Sequence, residues 1–131
     1  MHAFDPPLGT IDEEAALCRK ACADLKVGDY VWHCHHETLF EALTEPVKYR
    51  IAYILAEKPT RERAARLRLL RPGPPELAAL YADYRAKRDA LYAEAKCGAC
   101  YADYQAKRDA LHAASCPNCP WDGETIADAW S

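Results

Sequence analysis

Asp29-Tyr30-Val31-Trp32-His33-Cys34-His35-His36 is the stretch whose reading decides the fold. Aromatic and β-branched residues fill its first half, and such side chains suit the pleated, half-buried surface of a strand. Strict alternation puts Tyr30, Trp32 and Cys34 on one face, and Val31, His33 and His35 on the other. Thr38 to Leu43 follows at hairpin distance and reads as a partner strand, which Pro46 breaks. Arg50 to Leu55 (Arg-Ile-Ala-Tyr-Ile-Leu) reads as a further strand. Thr60 to Ala65 reads as a capped helical turn, while Arg66-Leu67-Arg68-Leu69 alternates like a strand. Pro72-Gly73-Pro74-Pro75 marks a boundary.

Before the strand lies one helix. Residues 1–10 read as a loose arm. Asp12 can cap the helix, and Glu13 and Glu14 suit its first turn, where carboxylates oppose the positive end of the dipole. Ala15, Ala16, Leu17, Ala21 and Leu25 give it an apolar stripe, and Gly28 suits its end. After the proline boundary the composition shifts to Ala, Tyr, Lys, Arg and Asp. Residues 81–91, from Tyr81-Ala82-Asp83-Tyr84 to Leu91, recur at 101–111 with only Arg85 against Gln105 changed. Both copies are strong helix formers with Tyr, Tyr and Leu on one side. A 20-residue offset is roughly 5.6 turns, so in one straight helix the two apolar faces would point nearly opposite ways. A turn between the copies aligns them, and Gly98 is suited to it. The expectation is a helical hairpin with Cys97-Gly98-Ala99-Cys100 at its tip.

Charge and composition narrow the function. The formal net charge is −3, which argues against wholesale binding of polyanions. No stretch approaches the roughly 18 apolar residues of a membrane span. Met1 to Thr10 carries prolines and an aspartate where a signal peptide would carry a charged and then an apolar run, so a cytoplasmic setting with reduced thiols is expected. The seven cysteines are an odd count and cannot all pair with one another. Cys-x-x-Cys spacing among reduced thiols points to metal or redox chemistry.

Cys97-x2-Cys100-x15-Cys116-x2-Cys119 has a four-cysteine zinc spacing. A helical segment between the pairs would hold them roughly 20 Å apart, whereas zinc–sulfur bonds are about 2.3 Å. Either that segment is not helical or the pairs belong to different sites; the second reading is preferred, and Cys97 and Cys100 remain secondary metal or redox candidates. Cys116 and Cys119 are the primary zinc ligands. Their companions are two of His33, His35, His36 and His112, with Cys34 as a substitute. His33 and His35 share a strand face by alternation, and His112 lies one helical turn before Cys116. Four protein donors would make the site structural. Cys18 and Cys22 share a helix face and read as small core residues.

Two other chemistries compete. Arg61, Arg63, Arg66, Arg68 and Arg71, with Lys58, form a basic stretch that reads as a solvated, partly salt-bridged face or, alternatively, as a nucleic-acid contact. His33 and His35 with Glu37 could form a zinc hydrolase or nuclease centre, with Glu37 as base. No phosphate-binding glycine loop or nucleophile elbow is present, and no catalytic residue is assigned.

Three segments carry a resemblance: Val27 to Glu37, the Ala/Tyr/Arg/Asp repeats, and Leu111 to Ile126 with its Cys116-Pro117-Asn118-Cys119-Pro120-Trp121-Asp122-Gly123 core. Together they resemble a group of short proteins encoded by phages and environmental sequences, for which no activity is established. The terminal Ala127-Asp128-Ala129-Trp130-Ser131 departs from that group's short apolar ending. The resemblance implies a viral origin, a spacer arm of variable repeat number and a metal that pairs the two end motifs. The resulting expectation is an α+β protein: an N-terminal arm and helix (1–26), a small β-rich unit (27–71), a helical repeat hairpin (76–115) and a zinc-knuckle tail (116–131). Its expected role is a non-enzymatic binding or scaffold protein with a protein partner, acting in the host cytoplasm and able to homodimerise through its tyrosine stripes.

Overall fold

The computed structural model describes residues 8–35, 37–92 and 97–121. The fold is α+β. Two compact units divide the chain: residues 1–73 with 118–131, and residues 74–117.

In the first unit, α1 (Ile11–Ala21) starts at Thr10, not Asp12. The Thr10 hydroxyl accepts from the Glu13 N–H at 3.1 Å, and the Glu13 carboxylate accepts from the Thr10 N–H at 3.1 Å. This reciprocal capping box satisfies two donors that the helix itself leaves open. The helix ends well before Gly28, which serves the next turn instead. Gly28 has φ 97°, a conformation a side chain would strain, and its N–H donates to the Leu43 carbonyl at 2.8 Å.

β1 (Tyr30–His35) and β2 (Thr38–Ala42) form the expected antiparallel hairpin. β3 (Arg71–Pro72) adds to the other edge of β1, giving the order β2-β1-β3. Between Val47–Glu57 and Thr60–Leu69 the chain is helical (α2 and α3), where the sequence pattern pointed to strands over 50–55 and 66–69. Pro46 and Pro59 stand at the two N-caps, positions where a missing N–H costs nothing. Ile51 and Ile54, three apart, both reach the core.

Two arginines of α3, Arg66 and Arg68, are turned to internal use. Arg66 is buried and donates to Glu62 at 2.8 Å. Arg68 grips Glu14 with two hydrogen bonds, at 2.8 and 2.6 Å, while Gly9 N–H donates to the same carboxylate at 2.8 Å. The core joins Ala15, Cys18 and Cys22 of α1 to Val31, Cys34, Leu43, Ile51, Ile54, Leu67 and Leu70.

The second unit contains α4 (Pro75–Tyr92) and α5 (Cys97–Ser115), one repeat copy on each. Tyr84 stacks on Tyr104 with ring centroids 4.1 Å apart, and Tyr81 lies 6.1 Å from Tyr104. Tyr104 is thus buried against the other copy's tyrosines, while Tyr101 stays 42% exposed. Each copy repeats the same ion pair four residues apart, Asp83–Lys87 at 3.0 Å and Asp103–Lys107 at 3.1 Å. Among the described residues no helix is long and apolar enough to cross a membrane.

Candidate metal centre

The strand that carries the histidines does not alternate. Trp32 pairs with Phe40, but His35 pairs with Thr38, so one residue is gained between them. His33 takes up the bulge with φ 55°, in the left-handed region. A non-glycine residue held there costs on the order of 1–3 kcal/mol, and such strain gathers at functional positions. The bulge reverses the faces beyond it. Cys34 joins Val31 in the core, and His33 parts from His35. With His33 buried and His35 exposed, the shared histidine face expected from alternation is absent.

His33 is only 2% exposed. Its Nε2 lies 3.3 Å from the Cys119 Sγ, and its ring meets Trp121 edge-on at 5.2 Å. Cys119 follows Asn118, whose φ of 55° turns the chain inside the Cys-x-x-Cys segment. Asparagine tolerates that conformation better than most residues. In the second unit, α5 ends with His112 and Cys116 one turn apart, and the Cys116 N–H donates to the His112 carbonyl at 2.7 Å. Cys100 sits in the first turn of α5, so the helix holds it about 24 Å from Cys116 and the two cannot share an ion. His36 and the side chain of Cys97 lie outside the described residues.

His33, His112, Cys116 and Cys119 make up a possible metal-binding group. This donor set fits zinc, which accepts mixed imidazole and thiolate ligation. A second possible group, Cys34, His35 and Glu41, lies within the first unit, where one ligand atom from each falls within 4.8 Å of the others. Glu41 was not singled out by the sequence. The only signal for it was its place opposite the histidine strand across a short hairpin.

Several other charged groups have internal partners. Burial pushes the Glu14 carboxyl up, but hydrogen bonds from Arg68 and Gly9 and the charges of Arg68 and Arg71 outweigh it and hold it below the usual range. Arg71 donates to the Leu67 and Leu70 carbonyls, each at 2.8 Å, and Arg63 to the Lys58 carbonyl at 2.7 Å. Of the five candidate nucleic-acid arginines, Arg61 is the exposed one. Cys18 and Cys22 are core residues whose thiols approach the Leu70 carbonyl at 3.6 and 3.9 Å. No family model, curated protein or solved structure matches this chain.

Proposed function

We propose that the chain is a zinc-stabilised binding or scaffold protein in which His33, His112, Cys116 and Cys119 hold one structural ion. The observation that carries the reading is the His33–Cys119 approach at 3.3 Å across 86 residues of sequence. One partner comes from a strained strand bulge and the other from a Cys-x-x-Cys turn. Both features suit donors aimed at an ion. Two imidazoles and two thiolates would fill a tetrahedral shell and leave no position for a reactive water. That is the chemistry of a clasp, so the working surface lies elsewhere and the natural partner is another protein. The inward arginines weigh against a nucleic-acid role, and the mutual use of the tyrosine faces weighs against dimerisation through them.

The test is the metal content of the purified full-length chain beside a Cys116→Ser/Cys119→Ser variant and a His33→Gln variant. One zinc per chain at this site, lost in both variants with a fall in thermal stability, is the expected result. A wild-type chain that folds without zinc, or variants that keep it, would overturn the reading.

A further inference from the structure

The hairpin carries a second set of donors that uses none of the four above. Cys34 and His35 close β1, and Glu41 faces back from β2. One donor atom of each lies within 4.8 Å of the other two, and His35 Nδ1 directly contacts the Glu41 carboxylate. His35 also borders a cavity of about 570 Å³ lined by Glu45, Tyr49, Arg50, Tyr53 and Lys58. Arg50 is 9% exposed. Its Nη2 donates to the Cys34 carbonyl at 2.7 Å, while its buried Nε has no hydrogen-bond partner among the described residues. Tyr53 lies between two cations: the Arg50 guanidinium and the Lys58 ammonium each stand 5.3 Å from its ring centroid.

We propose that Cys34, His35 and Glu41 form a second, open metal site, and that its vacant coordination position faces this cavity to take an oxyanion of the phosphate class. Three protein donors are one short of the four that zinc prefers, which is the pattern of a site that keeps a place for an exogenous ligand. A thiolate, an imidazole and a carboxylate select a zinc-class ion over calcium or magnesium, which favour oxygen donors alone. The anion follows from the cations on the cavity wall. An unsatisfied buried guanidinium N–H costs free energy until an acceptor arrives. Burial and the nearby charges of Arg66 and Arg50 hold the Lys58 ammonium below its ordinary pKa. An incoming anion would relieve that crowding. The exposed faces of Tyr49 and Tyr53 would flank whatever group the oxyanion carries.

His35 is exposed, and Glu41 lies on the hairpin edge, so their substitution should leave the fold in place. The experiment is cobalt titration of the full-length chain, followed by visible absorption and thiolate-to-cobalt charge transfer. Two equivalents are expected in the wild type. His35→Ala and Glu41→Gln should each lose the weaker equivalent and keep the tighter one, and Cys116→Ser/Cys119→Ser should do the reverse. Inorganic phosphate should shift the d–d bands of the second cobalt, and Lys58→Ala should raise the phosphate concentration required at least tenfold. Two equivalents retained by His35→Ala would overturn the proposal and leave His35 and Glu41 as an ion pair only. A single wild-type equivalent that survives His35→Ala would overturn it too, and leave the structural clasp standing. A second cobalt that ignores phosphate, or responds equally in Lys58→Ala, would overturn the anion half.

Discussion

Replacing Arg68 by methionine separates a buried ionic tie from a solvated basic face. Glu14 is 1% exposed on its side chain and Arg68 12%. The guanidinium fork spans both carboxylate oxygens, and the Gly9 N–H also donates to that carboxylate. Arg68→Met keeps the aliphatic stem but strands the carboxylate in the core. Breaking a buried pair from one side costs about 3–5 kcal/mol, chiefly because the remaining charge has no counterpart. For a chain of this size each kcal/mol moves the midpoint by roughly 3–5 °C, so a fall of about 10–20 °C is expected. Urea unfolding followed by far-UV circular dichroism reads the same loss as a lower midpoint at constant slope. The double variant Glu14→Leu/Arg68→Met removes both charges and should recover most of the loss, since apolar replacements of buried pairs are often neutral. A change below about 0.5 kcal/mol for Arg68→Met, the range of an ordinary surface substitution, would refute the reasoning and return Arg68 to the solvated face.

The same carboxylate sets an acid limit. Its folded pKa lies below its unfolded one, so its stabilising contribution is complete above the unfolded value of about 4.3 and is lost as pH falls through the lower folded value. Acid unfolding should therefore steepen below about pH 4 in the wild type, and this slope should be absent from the Glu14→Leu/Arg68→Met double variant. Asn118→Gly should leave zinc affinity within about twofold, whereas Asn118→Val, forced to φ 55°, should weaken it about tenfold in a competition titration, a penalty on the order of 1–2 kcal/mol. Tyr104→Ala removes a nearly buried ring stacked on Tyr84 and should cost about 3 kcal/mol, read as lost helical signal on heating, whereas Tyr104→Phe should cost less than about 1 kcal/mol.

The parts of the fold that could be read from the sequence were those set by local chemistry. The β1–β2 hairpin followed from the aromatic and β-branched run and from Pro46. The separate α4 and α5 followed from the phase of the repeat. Cys116, Cys119 and His112 followed from spacing within one helix and one turn. What stayed hidden depended on distant partners. Arg66 and Arg68 mimic an alternating strand until Glu14, 54 residues from Arg68, turns one of them inward. Ile51 and Ile54 fit a helix only once both are seen to face the same core. The bulge at His33 has no sequence mark, because histidine is an unusual occupant of the left-handed region. That single backbone angle leaves His33 buried and His35 exposed, and it could not be inferred from alternation.

In sequence the second unit falls between Gly73 and Asn118 of the first, and the His33–Cys119 approach ties two distant segments of the first unit together. The entropy of closing such a span grows only with the logarithm of its length. Adding one further 20-residue copy to the 86-residue separation would cost about 0.2 kcal/mol, less than thermal energy. The His33–Cys119 approach is therefore nearly indifferent to the length of chain that separates its two ends.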